Sequence, residues 1–374
     1  MRIGLNATCF NERPSGAKQR FLGLYTPVIN AMVDTEFVIY AAAGVDLHSC
    51  FEGLENVSIR QTAIRNEGRW GRLINGLNYW PQALSRDHLD IFEGFHLPVV
   101  VNPTGQTLLT IHDIRGLNPH TKYFERQIYS AVLNHSISRA NTIITVSDSM
   151  KRELNSIFPD ASVLRIYNGI DIKMFDEIGK ERAMLYVREN GIPNDFLLAI
   201  GHFEERKNYS RLIDAIGLLN DRGFSIPLVI AGNDSGQYKE LQHKVDKLGL
   251  QSQIKLLQNL NDNEIGLLYK ACRLFIFPSS YEGFGIPLIE AMAAKKAFLS
   301  SNISVFRELS ENEGYYFPFD DIEAMAEGIE MLSGSDDEQQ RLISYGQRRV
   351  PDFSFEILSK ELISLYRDKI YEKK

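Results

Sequence analysis

A chain of 374 residues is longer than one ordinary small domain, and 44% apolar with 24% charged residues gives it material for a sizeable core, so two soluble α/β-sized domains are expected. The net charge of −7 argues against nucleic acid as the main partner, and the acidity is uneven: residues 1–175 hold 17 Lys+Arg against 16 Asp+Glu, the rest 24 against 32. Cys9, Cys50 and Cys272 show no metal-ligand spacing and leave an odd count, which points to a reducing compartment. The apolar run in Met1–Ala7 is too short for a signal peptide and no segment approaches a membrane span, so a cytoplasmic location is expected.

Short apolar or β-branched runs alternate with helical stretches, the pattern of parallel α/β layers. In the first half, strands are expected at Ile3–Asn6, Phe37–Ala41, Val57–Gln61, Ile91–Gly94, Thr107–Ile111, Thr142–Val146 and Val163–Tyr167. Helices are expected around Lys18–Val33, Gly71–Ser85, Lys122–Ala140 and Asp148–Ile157. A break near Ile172–Ile192, carrying Gly179 and Gly191 with Pro193 just beyond, separates the halves. Beyond it, strands are expected at Phe196–Ile200, Leu228–Ala231, Ile254–Leu257, Leu274–Phe277 and Ala297–Ser300. Helices there fall around Asn208–Asp221, Gln237–Leu248, Asp262–Ala271, Pro287–Ala294 and Ile322–Leu332, and Phe353–Tyr371 shows helical spacing in Phe355, Leu358, Leu362, Ile363, Leu365 and Tyr366.

In such folds ligands bind past the C-terminal ends of the strands. Pro14-Ser15-Gly16-Ala17-Lys18-Gln19-Arg20 follows the first strand; its small residues admit close backbone approach, and Lys18 and Arg20 add positive charge. Thr110-Ile111-His112-Asp113 ends another strand, although a lone histidine is ordinarily a satisfied core residue. Gly201-His202-Phe203-Glu204-Glu205-Arg206-Lys207-Asn208 places two cations at a strand's lip, where they suit a diphosphate; the plain alternative is a surface charge cluster. The fullest signal is Pro278-Ser279-Ser280-Tyr281-Glu282-Gly283-Phe284-Gly285-Ile286-Pro287-Leu288-Ile289-Glu290-Ala291-Met292. It reads as loop and helix start, with Pro287 in the first turn, Glu282 at the lip of the preceding strand and Glu290 about one turn into the helix. The loop offers N–H groups to phosphate oxygens, and carboxylates accept hydrogen bonds from sugar hydroxyls.

With its Gly-Phe-Gly loop, its proline and the preceding Phe277-Pro278-Ser279, the Glu282/Glu290 pair resembles the glutamate–seven residues–glutamate motif of retaining glycosyltransferases, in particular the large family 4. Tyr167-Asn168-Gly169-Ile170-Asp171, Val229-Ile230-Ala231-Gly232, Ser300–Glu308 and the spacing from His112-Asp113 to Asn118-Pro119 match as well. The resemblance implies the GT-B plan: two Rossmann-like doubly wound domains facing across a cleft. An acceptor-side domain, 1–175, would carry the returning C-terminal helix 353–374, and 176–352 would bind the nucleotide-sugar. It assigns Arg206 and Lys207 to the diphosphate, Glu282 to the donor sugar, Glu290 to the ribose, and the Gly283–Gly285 backbone, Phe284 included, to sugar and phosphate. His112 would face the donor sugar, with Asp113 beside it and Gly16 near the donor phosphate. Many members carry arginine where this chain has His202.

The implied reaction moves a hexose from a nucleotide diphosphate donor, GDP-mannose first or another donor such as a UDP-hexose, to a saccharide or lipid-linked saccharide acceptor in surface polysaccharide synthesis. No dinucleotide fingerprint, Walker A, zinc-protease or Asp-x-Asp metal motif is present, so no cofactor and no metal are expected. The stretch Arg60–Arg86, with Arg65, Arg69, Arg72, Trp70, Tyr79, Trp80 and the lone acid Glu67 ahead of Asp87, could give weak contact with an anionic membrane, or be a partly buried amphipathic helix. The alternatives are a nucleotide-sugar epimerase on the same plan, which would need no acceptor, and a non-catalytic nucleotide-sugar-binding subunit.

Overall fold

The computed structural model describes residues 1–10, 16–65, 69–118 and 121–371, and side chains there apart from those of 16–17, 69–74, 77–78 and 371. Pro14, Ser15, Glu67 and Pro119, and the side chains of Arg69, Trp70 and Arg72, therefore lie outside the described residues. The chain forms two compact units, Met1–Gly169 with Phe355–Lys374, and Ile170–Ser354.

The first unit is built on seven parallel strands: β1 (Arg2–Ala7), β2 (Glu36–Ala41), β3 (Val57–Gln61), β4 (Ile91–Gly94), β5 (Gln106–Ile111), β6 (Thr142–Thr145) and β7 (Val163–Arg165). Their order is β3-β2-β1-β4-β5-β6-β7, so the direction of winding reverses between β1 and β4. Burial on both faces explains why these strands read as apolar runs and not as alternating ones. One face packs on the helix Gly16–Ala31 through Phe21, Leu24, Tyr25 and Val28, and on the helix Phe355–Tyr371 through Leu358, Leu362 and Tyr366. Phe355 seats where Gly23 and Gly169 leave room; a Cβ on either would approach its ring within 2.4 Å.

The fully buried Glu93 of β4 ties that last helix to the sheet. Its Oε1 accepts from Tyr25 (2.7 Å) and Thr110 (2.6 Å), and its Oε2 accepts from Tyr366 (2.6 Å). Burial first, and the Glu93 charge second, push the Tyr25 and Tyr366 phenols well above their usual range, so both stay protonated donors.

The second unit has six parallel strands: β8 (Leu197–Ile200), β9 (Leu228–Ala231), β10 (Ile254–Leu257), β11 (Leu274–Phe277), β12 (Ala297–Ser301) and β13 (Tyr315–Phe317). The order β10-β9-β8-β11-β12-β13 reverses between β8 and β11, which pair at Leu274↔Leu197 and Phe275↔Leu198. In such sheets ligands usually bind beyond the strand ends at this reversal.

Two expectations need correction, and three elements went unassigned. The stretch Ile172–Ile192, expected as the break between the halves, lies within the second unit and holds the helices Ile172–Glu177, capped by Asp171, and Lys180–Glu189, whose Ala183 and Val187 are fully buried. The boundary accordingly falls after Gly169 and not after 175, because Ile170 pairs with Ser354 and its N–H donates to Phe353 O at 3.0 Å. Strand β13 and the helices Ser304–Leu309 and Asp336–Arg349 had no clear apolar signal; the last buries only Leu342, Tyr345 and Gly346 among the described residues.

The Glu93 anchor gives a direct test. Tyr366→Phe should destabilise the first unit by about 1–3 kcal/mol, because a buried carboxylate loses a donor. Urea unfolding followed by tryptophan fluorescence reports on that unit alone, since Trp70 and Trp80 both belong to it. An unchanged midpoint would mean that Glu93 is satisfied without the helix.

Candidate active site

The loops after β8 and β11 bring the predicted charges of the second unit into contact. After β8 the chain makes a short turn, Glu205–Lys207, and Asn208 takes a left-handed conformation (φ 60°) that starts the helix Tyr209–Asp221. Asparagine tolerates that conformation. Its Nδ2 donates to Phe319 O (2.6 Å) and its Oδ1 accepts from Arg211 (3.0 Å), which fixes the corner. The Lys207 side chain then runs back over Gly201, where a Cβ would sit 2.9 Å from its Cε, and its Nζ lies 5.2 Å from the Phe277 ring centre at the end of β11.

Glu282 receives both cations. Lys207 Nζ is 2.6 Å from its Oε1 and Arg206 Nη1 is 2.6 Å from its Oε2. Arg206 is held further by Glu204 Oε1, 2.5 Å from Nη2, and by Tyr281 O, 3.0 Å from Nη1. The Lys207 side chain is only 7% exposed and that of Glu282 11%, so this is a nearly buried cluster and not a surface pair. Burial alone would raise the Glu282 carboxyl; the Lys207 and Arg206 charges more than offset it and hold it below the usual range. The four side chains Glu204, Arg206, Lys207 and Glu282 sum to no net charge.

Glu290 is treated differently. It lies on the helix Ile286–Ala293, which starts at Gly285 (φ +143°), where a Cβ would meet Phe306 at 3.0 Å. Its Oε2 accepts from the Tyr269 hydroxyl at 2.9 Å, and that hydroxyl also reaches Pro287 O at 3.1 Å. Burial pushes the Glu290 carboxyl up to about 7; the Tyr269 hydrogen bond partly counters this and Asp262 adds to it. The Phe284 side chain is buried and meets Phe353 edge-on at 6.0 Å, so what this residue can offer a ligand is its backbone.

Residues 187–349 match the sequence profile described as Glycosyl transferases group 1. The chain carries a group 1 glycosyltransferase domain. That segment contains Arg206, Lys207, Glu282 and Glu290. This glycosyltransferase is 28% identical over 254 residues to the O-antigen chain mannosyltransferase RfbU of Salmonella typhimurium, a stretch that covers 67% of each chain. Its fold superimposes on sucrose-phosphate synthase from Thermosynechococcus elongatus with a TM-score of 0.80 at 15% identity, covering 100% of both chains. It also superimposes on Anabaena HepE in complex with UDP and glucose, with a TM-score of 0.76 at 18% identity, over 98% of this chain and 100% of that one. These likenesses show two parallel-sheet Rossmann-like units, the GT-B type of fold.

In the first unit of the glycosyltransferase, His112 follows β5 and is half-buried. Burial first and the Arg20 charge second lower its imidazole to about 3, so it is neutral at physiological pH and can orient a hydroxyl but carries no charge. Asp113 turns toward its own loop: its Oδ1 accepts from Arg115 N (3.1 Å) and lies 3.6 Å from the Arg115 guanidinium. Gly16 opens the helix Gly16–Ala31. His202, just after Gly201, is exposed. In the Arg60–Arg86 stretch, Trp80 is buried against Tyr40 and Phe92, while Arg60 and Arg86 flank the buried Asp87 at 3.9 and 2.9 Å. Trp80 and Asp87 thus serve the fold, while the Arg60 and Arg86 side chains stay 42% and 61% exposed. No helix among the described residues is long and apolar enough to cross a membrane.

Two partners were not singled out from the sequence. Glu204 was visible within the Gly201–Asn208 run, two residues before Arg206. Tyr269 reaches Glu290 from 21 positions away and left no sequence signal.

The raised Glu290 carboxyl predicts a pH effect. In the unfolded chain it titrates near ~4.3, and in the fold at about 7. The folded state therefore binds the extra proton between these values, and its stability is lost as pH rises through that window. Glu290→Gln should leave the melting temperature nearly unchanged at pH 5 and raise it at pH 8, by the equivalent of about 1–2 kcal/mol. Equal shifts at both pH values would show that Glu290 is not held in its neutral form.

Proposed function

We propose that this glycosyltransferase moves a hexose, mannose as first choice, with retention from a nucleotide diphosphate sugar to a saccharide or lipid-linked saccharide acceptor in surface polysaccharide synthesis. The observation that carries the proposal is the meeting of Arg206, Lys207 and Glu282 beyond β8 and β11, where the winding of the second sheet reverses. Cations there suit the two phosphates, and the carboxylates of Glu282 and Glu290 suit hydroxyls of the sugar and ribose. The preference for mannose rests on the mannosyltransferase relative.

In the transfer, the bond from the sugar's anomeric carbon to the phosphate oxygen breaks and a bond to an acceptor hydroxyl oxygen forms. The acceptor proton goes to the departing phosphate oxygen. Negative charge grows on the diphosphate as the bond lengthens, so Arg206 and Lys207 act mainly on the transition state. His112, neutral, is assigned to orienting a hydroxyl. A front-face route needs no covalent intermediate on the protein, and none is invoked.

The test is transfer of labelled sugar. GDP-mannose, UDP-hexoses and ADP-hexoses are first ranked by thermal shift, since ligands of the native state raise its midpoint. The best donor is then supplied with saccharide acceptors. Conversion of the donor sugar without any acceptor would establish an epimerase instead. Because charge neutralisation is assigned to Arg206, Lys207 and backbone amides, turnover should be unchanged by a chelator; loss restored by magnesium or manganese would contradict that assignment.

The glutamates should separate kinetically. Glu282→Ala should lower kcat by on the order of 10²-fold, because its contacts tighten on the reacting sugar. Glu290→Ala should weaken free nucleoside diphosphate by about 1–3 kcal/mol, since ribose does not react and contributes uniform binding. If Glu282→Ala weakens the free nucleotide as much as Glu290→Ala, the two roles have been interchanged.

A further inference from the structure

We propose that Glu282 is the exchangeable counter-ion of the Arg206–Lys207 pair: it occupies both cations in the free protein, and an arriving diphosphate displaces it toward the transferred sugar. The inference rests on the diphosphate assignment above and adds a coupling that this assignment lacks. Each Glu282 oxygen faces its own cation at 2.6 Å, so the carboxylate that should receive sugar hydroxyls is engaged where the phosphates should bind. A diphosphate bears about three negative charges, and with Glu282 in place it meets a four-residue cluster of zero net charge that offers little attraction. Once Glu282 withdraws, Arg206, Lys207 and Glu204 present a net positive charge.

The covalent layout shows which carboxylate can leave. Glu204 belongs to the turn that bears both cations: Lys207 N donates to Glu204 O at 3.0 Å, and Glu204 Oε1 lies 2.5 Å from Arg206 Nη2. It moves with Arg206 and is a positioning residue. Glu282 belongs to the other loop, whose backbone is tied to Arg206 at Ser280 (its N–H to Arg206 O, 2.8 Å) and at Tyr281 (its O to Arg206 Nη1, 3.0 Å), while the Glu282 carboxylate itself meets the turn through the two ion pairs and is free to swing about its own side-chain bonds. Its carboxyl, held below the usual range by the Lys207 and Arg206 charges, is ionised at neutral pH, so the ligand and not a proton must open the pair. A displaced, desolvated carboxylate needs new donors. The hydroxyls of the transferred sugar supply them in the intact donor; a free diphosphate does not. Phosphate capture is thereby tied to sugar capture, and a bare diphosphate product is bound less well than its phosphates alone would allow.

Titration calorimetry with a nucleoside diphosphate and with inorganic pyrophosphate tests this on the wild type, Glu282→Gln, Glu282→Asp and Glu204→Gln. Glu282→Gln should bind both probes tighter than the wild type by on the order of tenfold, because the internal competitor is gone. Glu282→Asp, too short to span both cations, should also tighten binding and serves if the Gln variant does not fold. Glu204→Gln should not tighten binding, since Arg206 loses its fixed support. Unchanged or weaker binding in both Glu282 variants overturns the exchange, as does equal tightening by Glu204→Gln, which would indicate a general field effect. A wild type that binds neither probe overturns the nucleotide-sugar assignment itself, and the exchange with it.

Discussion

The contact between Glu282 and the Arg206–Lys207 pair constrains the whole second unit. Charges this well removed from water are tolerated only when paired at good geometry, and the pairing here spans 75 positions of sequence. It requires β8 and β11 to be neighbours, the loop after β8 to turn tightly at Asn208, and Gly201 to leave room for the Lys207 stem. The winding reversal that makes the strands adjacent is also where such sheets usually take a ligand. The three side chains that steady this corner are the ones the proposed function assigns to the donor.

Three buried or half-buried carboxylates in this chain are satisfied in three ways, and their chemistry follows from the partners. Glu93 is surrounded by hydroxyls and serves as a structural knot. Glu282 faces two cations and is held ionised. Glu290 has a phenol, and its carboxyl rises into the physiological range. A group held between charge states responds to a ligand's hydrogen bonds at small energetic cost, which suits Glu290 for contact with ribose. Glu93, enclosed by the Tyr25, Thr110 and Tyr366 hydroxyls, fits a structural role.

Much of this was legible from local sequence. Strands buried on both faces, such as Leu274–Phe277 and Leu228–Ala231, stand out as apolar runs, and their edges were placed within a residue. The site was legible because its parts lie just after such strands. Elements whose stability comes from a few distant contacts were not: Lys180–Glu189 is amphipathic but polar overall, and Tyr315–Phe317 is three residues long. Partnerships were also hidden. Nothing local distinguishes Glu282, paired with two cations, from Glu290, hydrogen-bonded to a phenol, or shows that Glu93 holds the last helix.

The central claim is that the second unit recognises a diphosphate through Arg206 and Lys207. Calorimetric titration of the wild-type chain with a nucleoside, its monophosphate and its diphosphate tests it without any substitution. Affinity should rise at each added phosphate, with the diphosphate bound on the order of tenfold or more tighter than the monophosphate, as expected for new charge-assisted hydrogen bonds. Equal affinities for monophosphate and diphosphate would contradict it.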